Sequence, residues 1–345
     1  AKGFEALIPA ENMSLAGLTE VLFALPRMFR YMKELVNLAQ TRRPSVAVLI
    51  DLPDFNLRLA KRLQSCGIPV VYYISPQLWA WRQGRVKQIK QFVDQMLVIL
   101  PFEKDFYEKH GVKVEFVGHP LVEELPERPN PKNARKAMGL PDSSKPVVAL
   151  LPGSRRKEVA RHLPLMLQSI QLLREDFPNL GVVLPIASTI PRSLIESYVR
   201  ESGVEVSLQD GSSTDALSAS DAAIVCSGTS TLQTALLGRP MVVVYRVSWI
   251  SYWILKSLVN VAHIALVNLI AGKRLVPELV QARFTPANVR DELKHLLQDT
   301  DKRQTLQAEL HRLRAQLGQG RTASRVTDIL APYISTSAVK EDSRG

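Results

Sequence analysis

Pro152-Gly153-Ser154-Arg155 and Ser227-Gly228-Thr229 each follow an apolar run, Val147–Leu151 and Ala222–Cys226, and each precedes a helical pattern. A strand, a tight turn of small residues and a helix start aim backbone N–H groups and the positive end of a helix at an anion. Either turn alone caps helices in many α/β proteins. Two of them in one half of a chain, with Arg155 in the first, point to a diphosphate held between two helix N-termini, and so to a nucleotide site.

Asp51 closes another apolar run, within Ile50-Asp51-Leu52-Pro53-Asp54-Phe55-Asn56. A carboxylate at the carboxyl end of a strand, beside a proline-rigid turn, can take a proton from a substrate hydroxyl. It can equally cap the helix that follows, a role for which Asp54 and Asn56 are better placed. Trp79 and Trp81, beside Arg82 and Arg85, either wall a sugar phosphate or cover a sheet edge. His119, in Gly118-His119-Pro120, suits a hydrogen bond between domains as well as it suits catalysis. The six histidines show no ligand spacing, there is no Cys-x-x-Cys, and Asp299-Thr300-Asp301 reads as a solvated turn. Neither metal nor another cofactor is expected.

The elements that must position these residues alternate along the chain. Strands are expected at Val46–Asp51, Val70–Ser75, Gln95–Leu100 and Val114–Val117, with helices near Leu57–Ser65, Arg85–Phe92 and Glu103–His110. A second series follows at Val147–Leu151, Gly181–Ala187, Val204–Leu208, Ala222–Cys226 and Met241–Tyr245, then helices from Pro286 to Ala331. This predicts an α/β protein of two doubly wound, Rossmann-like domains facing a cleft, with ligands at the carboxyl ends of the strands. The boundaries expected are 1–125 for an acceptor-side, membrane-associating domain and 126–145 for a proline- and charge-rich linker. A nucleotide-binding domain with terminal helices then covers 146–334, and 335–345 forms a disordered tail.

The chain has 345 residues and a net charge of +11, with a pI near 9.7. A basic surface implies anionic partners. The basic residues are scattered and no nucleic-acid-binding motif occurs, which leaves phosphorylated substrates or an acidic membrane face. Cys66 and Cys226 read as reduced core residues of a cytosolic protein. The apolar stretch Val247–Ala271 carries Lys256, Asn260, His263 and Asn268, too polar for a membrane span. Leu18, Val21, Leu22, Leu25, Met28 and Phe29 recur at helical spacing, with a break expected at Pro26. That stripe either packs on the core or dips into a bilayer interface, with Arg27, Arg30 and Lys33 toward anionic headgroups.

Read together, Ile50–Asn56, Ser75-Pro76-Gln77-Leu78-Trp79-Ala80-Trp81, Leu100-Pro101-Phe102-Glu103, Leu150–Arg155, Ser227-Gly228-Thr229 and Asn268-Leu269-Ile270-Ala271-Gly272 resemble the lipid-A-disaccharide synthase family. The resemblance runs in order from about Gly3 to Ala331 and implies the GT-B fold. It implies an inverting glycosyltransferase that joins UDP-2,3-diacylglucosamine to 2,3-diacylglucosamine 1-phosphate, giving a β(1→6) disaccharide and UDP. By resemblance Asp51 is the base. Gly153, Ser154, Arg155, Ser227, Gly228, Thr229, Gln233, Asn268, Glu278 and Gln281 lie on the donor side, and Trp79, Trp81, Arg82 and His119 on the acceptor side. Gln233 stands where many GT-B enzymes carry a ribose-binding glutamate. The resemblance further implies a peripheral place on the cytoplasmic face of the inner membrane and a homodimer through Leu306–Leu330. The family's N-terminal strand and Gly-Glu-x-Ser-Gly-Asp loop find no counterpart here. The first domain is therefore expected to be truncated, which leaves the activity of these residues alone open. The competing readings are a UDP-N-acetylglucosamine 2-epimerase, a peptidoglycan glycosyltransferase, or a non-catalytic nucleotide-binding protein of the membrane surface.

Overall fold

The computed structural model describes residues 5, 7–8, 18–127, 129–140, 145–249, 252–253 and 262–342, and side chains over the same spans except 18–25 and 335–342. Its contacts divide the chain into two compact units: Ala1–Val117 with Ala323–Gly345, and Gly118–Thr322.

The first unit runs α1 (Leu18–Arg42), β1 (Ala47–Ile50), α2 (Pro53–Ser65), β2 (Val70–Tyr73), α3 (Val86–Phe92), β3 (Gln95–Val98), α4 (Pro101–Lys109) and β4 (Val114–Phe116). Its strands form a parallel sheet in the order β1-β2-β3-β4. Proline opens α2 and α4, where its missing N–H costs nothing. Helix α1 does not break at Pro26. Pro26 is exposed, and the helix runs through it at the cost of one backbone hydrogen bond. Further along α1, Met28, Met32, Leu35, Val36 and Ala39 pack on the core beneath β1, β2 and β3.

The second unit begins with α5 (Leu121–Glu124), α6 (Pro131–Ala137), β5 (Val147–Leu151), α7 (Arg156–Asp176), β6 (Gly181–Ile186), α8 (Arg192–Ser202) and β7 (Ser207–Asp210). It continues with α9 (Ser213–Ala219), β8 (Ala222–Cys226), α10 (Thr229–Leu236), β9 (Met241–Tyr245), α11 (Leu266–Ala271), β10 (Glu278–Val280), α12 (Pro286–Gln298) and α13 (Thr300–Gln316). The parallel sheet has the order β10-β9-β8-β5-β6-β7. Every residue of β5, β6 and β8 is buried, as expected of central strands covered on both faces. Side-chain caps start the helices: Asn130 for α6, Ser212 for α9, Thr285 for α12 and Asp299 for α13.

Three sequence expectations change. Residues 126–145 are not a free linker: within them α6 carries Arg135, 4% exposed. Its guanidinium donates to the carbonyls of Ala219 and Lys145 and pairs with Asp221 at 2.7 Å. That buried ion pair fastens the segment to the second unit. The last helix, α14 (Thr322–Asp342), runs through most of the segment read as a disordered tail. From Ala323 it also belongs with the first unit, because Val326, Ile329, Leu330 and Tyr333 pack on Val71, Leu97 and Val117. Leu306, Leu310 and Leu313, in the helix before it, are buried as well. Finally, β7 begins at Ser207 rather than Val204, set by the pairing of Ser207 with Val183.

Candidate functional site

In the first unit, the carboxyl ends of β1 and β2 lie side by side, Ile50 opposite Tyr73. The turns that leave them are conformationally costly. Asp51 (φ 49°), Leu52 (φ 44°), Ile74 (φ 63°) and Arg82 (φ 55°) all take left-handed backbone without being glycine. Such residues persist only where neighbours hold them, and they gather at functional sites. The Asp51 side chain is exposed. Asp54 pairs with Arg85 at 2.5 Å and with Arg82 at 3.6 Å, so the aspartate turn and the tryptophan loop are tied together.

That loop rests on a carboxylate. Glu103, 2% exposed, accepts from the Ser75 hydroxyl (2.8 Å), the Trp79 indole N–H (3.2 Å) and the Leu100 N–H (3.1 Å). Burial pushes its carboxyl up to about 7, against the pull of these hydrogen bonds. Trp79 also meets Phe102 edge-on. Trp79 thus fixes the loop, while Trp81 is exposed with the Arg82 guanidinium 4.4 Å from its ring centre. Nothing in the sequence around Glu103 marks it as the support of a loop that lies upstream of it.

In the second unit both small-residue turns leave adjacent strands, β5 and β8. Gly153 has φ 117°, and a Cβ there would lie 2.5 Å from the Glu158 carboxylate. Glu158 folds back to accept from the N–H groups of Ser154 (3.1 Å) and Arg155 (3.2 Å), and pairs with the Arg155 guanidinium at 3.0 Å. A carboxylate of the chain itself thus sits on N–H groups suited to an anion. Arg155 is otherwise exposed. In the second turn Gly228 and Thr229 are exposed, and Ser227 donates to the carbonyl of Ile264.

The family described as lipid-A-disaccharide synthetase matches residues 1–331. The chain is 50% identical over 328 residues to the lipid-A-disaccharide synthase of Anaeromyxobacter sp. (strain K), covering 94% of this chain and 85% of that one. It is 45% identical over 339 residues to that of Myxococcus xanthus (strain DK1622), covering 98% and 88%.

The chain belongs to the lipid-A-disaccharide synthetase family.

As a member of that family it is a glycosyltransferase of lipid A biosynthesis, and the epimerase and peptidoglycan readings are not favoured. Among solved structures, UDP-GlcNAc 2-epimerase from Neisseria meningitidis bound to UDP-GlcNAc superimposes with a TM-score of 0.62 at 12% identity, covering 92% of this chain and 82% of that one. The calicheamicin glycosyltransferase CalG4 gives 0.53 at 14% identity, covering 93% and 82%. At those identities the likeness shows the fold alone, the two Rossmann-like units of GT-B proteins.

Several polar residues of the family motifs are engaged by hydrogen bonds within the chain. Asn268 is fully buried and every polar atom of its amide is paired within the chain. It donates to the Val276 carbonyl and to Glu278, and accepts from the N–H groups of Leu275 and Val276. Glu278 in turn accepts from the N–H groups of Ile264 and Ala265, just before α11. Gln281 (φ 52°, 5% exposed) exchanges two hydrogen bonds with the backbone of Val247. Gln233 is held by the hydroxyls of Ser213 and Thr214. These groups shape the loops beside the Ser227 turn. His119 falls at the start of the second unit; it is buried, its Nδ1 accepts from the Leu121 N–H, and burial lowers its pKa to about 4.

His162 was not legible in the sequence. Fully buried, its Nδ1 meets the Pro152 carbonyl at 3.0 Å and its Nε2 accepts from the Arg246 N–H at 3.0 Å. Only the neutral ring with its proton on Nδ1 serves both, and burial lowers its pKa accordingly. It joins the Pro152–Arg155 turn to the end of β9. Of the apolar stripe, Met28 packs on the core and Phe29 is 55% exposed, while the side chains of Leu18, Val21, Leu22 and Leu25 lie outside the described residues. Among the described residues no helix is long and apolar enough to cross a membrane. Nor does any group of three or more His, Cys, Asp or Glu there stand ready to hold a metal.

Proposed function

We propose that the chain transfers the sugar of UDP-2,3-diacylglucosamine to 2,3-diacylglucosamine 1-phosphate with inversion, releasing UDP and the β(1→6) disaccharide 1-phosphate. The observation that carries this reading, beside family membership, is Asp51: an exposed carboxylate at the carboxyl end of a parallel strand, on a backbone that costs energy to hold. Asp51 accepts the proton of the acceptor hydroxyl as its oxygen attacks the anomeric carbon, and the bond from that carbon to the UDP oxygen breaks. The departing diphosphate meets Arg155 and the turns at Gly153-Ser154 and Ser227-Gly228-Thr229, which stabilise its charge through fixed dipoles and one cation. For the Ser154 and Arg155 N–H groups to reach it, Glu158 must swing away.

Both substrates carry acyl chains, so the enzyme meets them at an anionic membrane surface, on the cytoplasmic face of the inner membrane. Phe29, exposed among Arg27, Arg30 and Lys33, is the described residue best suited to touch it. Phe29→Ser is expected to weaken sedimentation with anionic vesicles at an unchanged melting temperature. Met28→Ser, one residue away and partly buried against the core, is expected to lower stability by about 1–2 kcal/mol. The reaction itself is tested by incubating the protein with both acylated substrates and following UDP and disaccharide. Failure of the protein to form either would refute the reading.

A further inference from the structure

The left-handed turn at Asp51–Leu52 is gripped by two buried side chains from different elements. Asn56, one turn into α2 and 7% exposed, donates through Nδ2 to the carbonyls of Ile50 (3.0 Å) and Asp51 (2.7 Å). Tyr72, on β2 and fully buried, donates its hydroxyl to the same Asp51 carbonyl at 2.5 Å. Both carbonyls that bracket the Asp51 residue are thus claimed by buried donors, from the helix that follows the turn and from the strand beside it. A core-facing helix position and a central strand position are ordinarily apolar. Polar groups stand here because an L residue at φ 49° followed by another at φ 44° relaxes to extended backbone unless something prevents it.

We propose that Asn56 and Tyr72 are positioning residues that hold the Asp51–Leu52 backbone left-handed and so aim the Asp51 carboxylate at the acceptor hydroxyl. This rests on the assignment of Asp51 as the base. Relaxation of either torsion would swing that carboxylate by more than the small displacement that already costs a general base most of its rate.

The test uses Tyr72→Phe, which keeps the ring and its packing, Asn56→Ala, and each combined with Leu52→Gly. Leu52 is 40% exposed, and glycine takes positive φ freely, so Leu52→Gly relieves half of the strain without the clamp. The expected result is a fall in kcat of about tenfold for Tyr72→Phe and about a hundredfold for Asn56→Ala, at unchanged KM for the donor and unchanged UDP affinity. Adding Leu52→Gly should return part of the lost kcat, and neither variant should slow Asp51→Asn further. A purely structural clamp would instead lower the melting temperature and shift kcat and KM together, with no rescue; that outcome overturns the proposal. If Asp51→Asn is slow while both clamp variants turn over normally, the clamp fails and the base stands. If Asp51→Asn itself turns over normally, the base assignment fails and the clamp with it.

Discussion

The turn after β1 and the turn after β5 solve the same geometric problem with opposite residues. Each must reverse the chain sharply at a strand's carboxyl end and enter a helix. At β5 the left-handed position is Gly153, and Glu158 lies where any Cβ would have to go. At β1 the left-handed positions are Asp51 and Leu52, held by Asn56 and Tyr72. The difference follows from what each turn presents. A turn that offers backbone N–H groups to an anion can dispense with a side chain. One that offers a carboxylate cannot, so its strain must be carried by neighbours.

The sharpest way to break this contrast is Asp51→Asn, which keeps the shape and removes the basicity. Turnover should fall by about two to four orders of magnitude, the span of a general base, while calorimetric titration shows unchanged UDP affinity. Near-normal turnover would reduce the first turn to a helix start like any other.

The two supporting carboxylates extend the comparison to pH. Glu103 and Glu158 both fold back onto helix-start N–H groups, but Glu103 is almost fully buried. Its folded pKa, about 7, lies above the ordinary 4.5, so the folded protein retains a proton that the unfolded chain releases. Its stabilising contribution is therefore full below about pH 4.5 and is lost as pH rises through 7, a difference of about 3 kcal/mol. Buried His119 and His162, with lowered pKa values, tilt stability the opposite way over the same range, so the Glu103 contribution is read as a difference: between pH 4.5 and 7, Glu103→Gln should gain about 3 kcal/mol relative to the parent in denaturant melts. A Glu103→Gln protein with the parent's slope would mean that another group titrates.

Exchanging the residue types of the two turns gives a smaller effect. Gly153→Ala should destabilise the fold by about 1–3 kcal/mol, through a forbidden φ and the Glu158 clash, and weaken UDP binding. Leu52→Gly should leave the stability within about 0.5 kcal/mol of the parent. Equal losses would show that glycine at 153 is incidental. Smallest of all, Arg155→Ala should weaken UDP by about tenfold, one charge-assisted contact at an exposed site, with no change in melting. Unchanged affinity would confine Arg155 to its pair with Glu158.

The strands and the two phosphate-type turns were readable because a central parallel strand is a run of apolar residues and a tight turn needs small ones; Val147–Leu151 and Ala222–Cys226 are found as the sequence places them. β7 slipped because an edge strand is half polar, so its register follows its neighbour β6 rather than its own pattern. Polar motif residues are read less fully for a different reason. Asn268 and Gln281 look like ligand contacts in a sequence, since nothing there says whether an amide faces a sugar or a backbone.

By itself, then, the sequence determined which segments are strands, which turns can face an anion, that Asp51 ends a strand, and the family resemblance that the comparisons upheld. Those are local properties, set by composition and by spacing of a few residues. Only the tertiary structure decided that Arg135 docks a supposed linker through Asp221, that α14 returns to the first sheet, that His162 bridges Pro152 to Arg246, and that Tyr72 reaches Asp51. Each of these joins residues far apart in the chain. The pairing arises because a buried polar group must find a partner wherever packing brings one, and packing is not written in any single stretch of sequence.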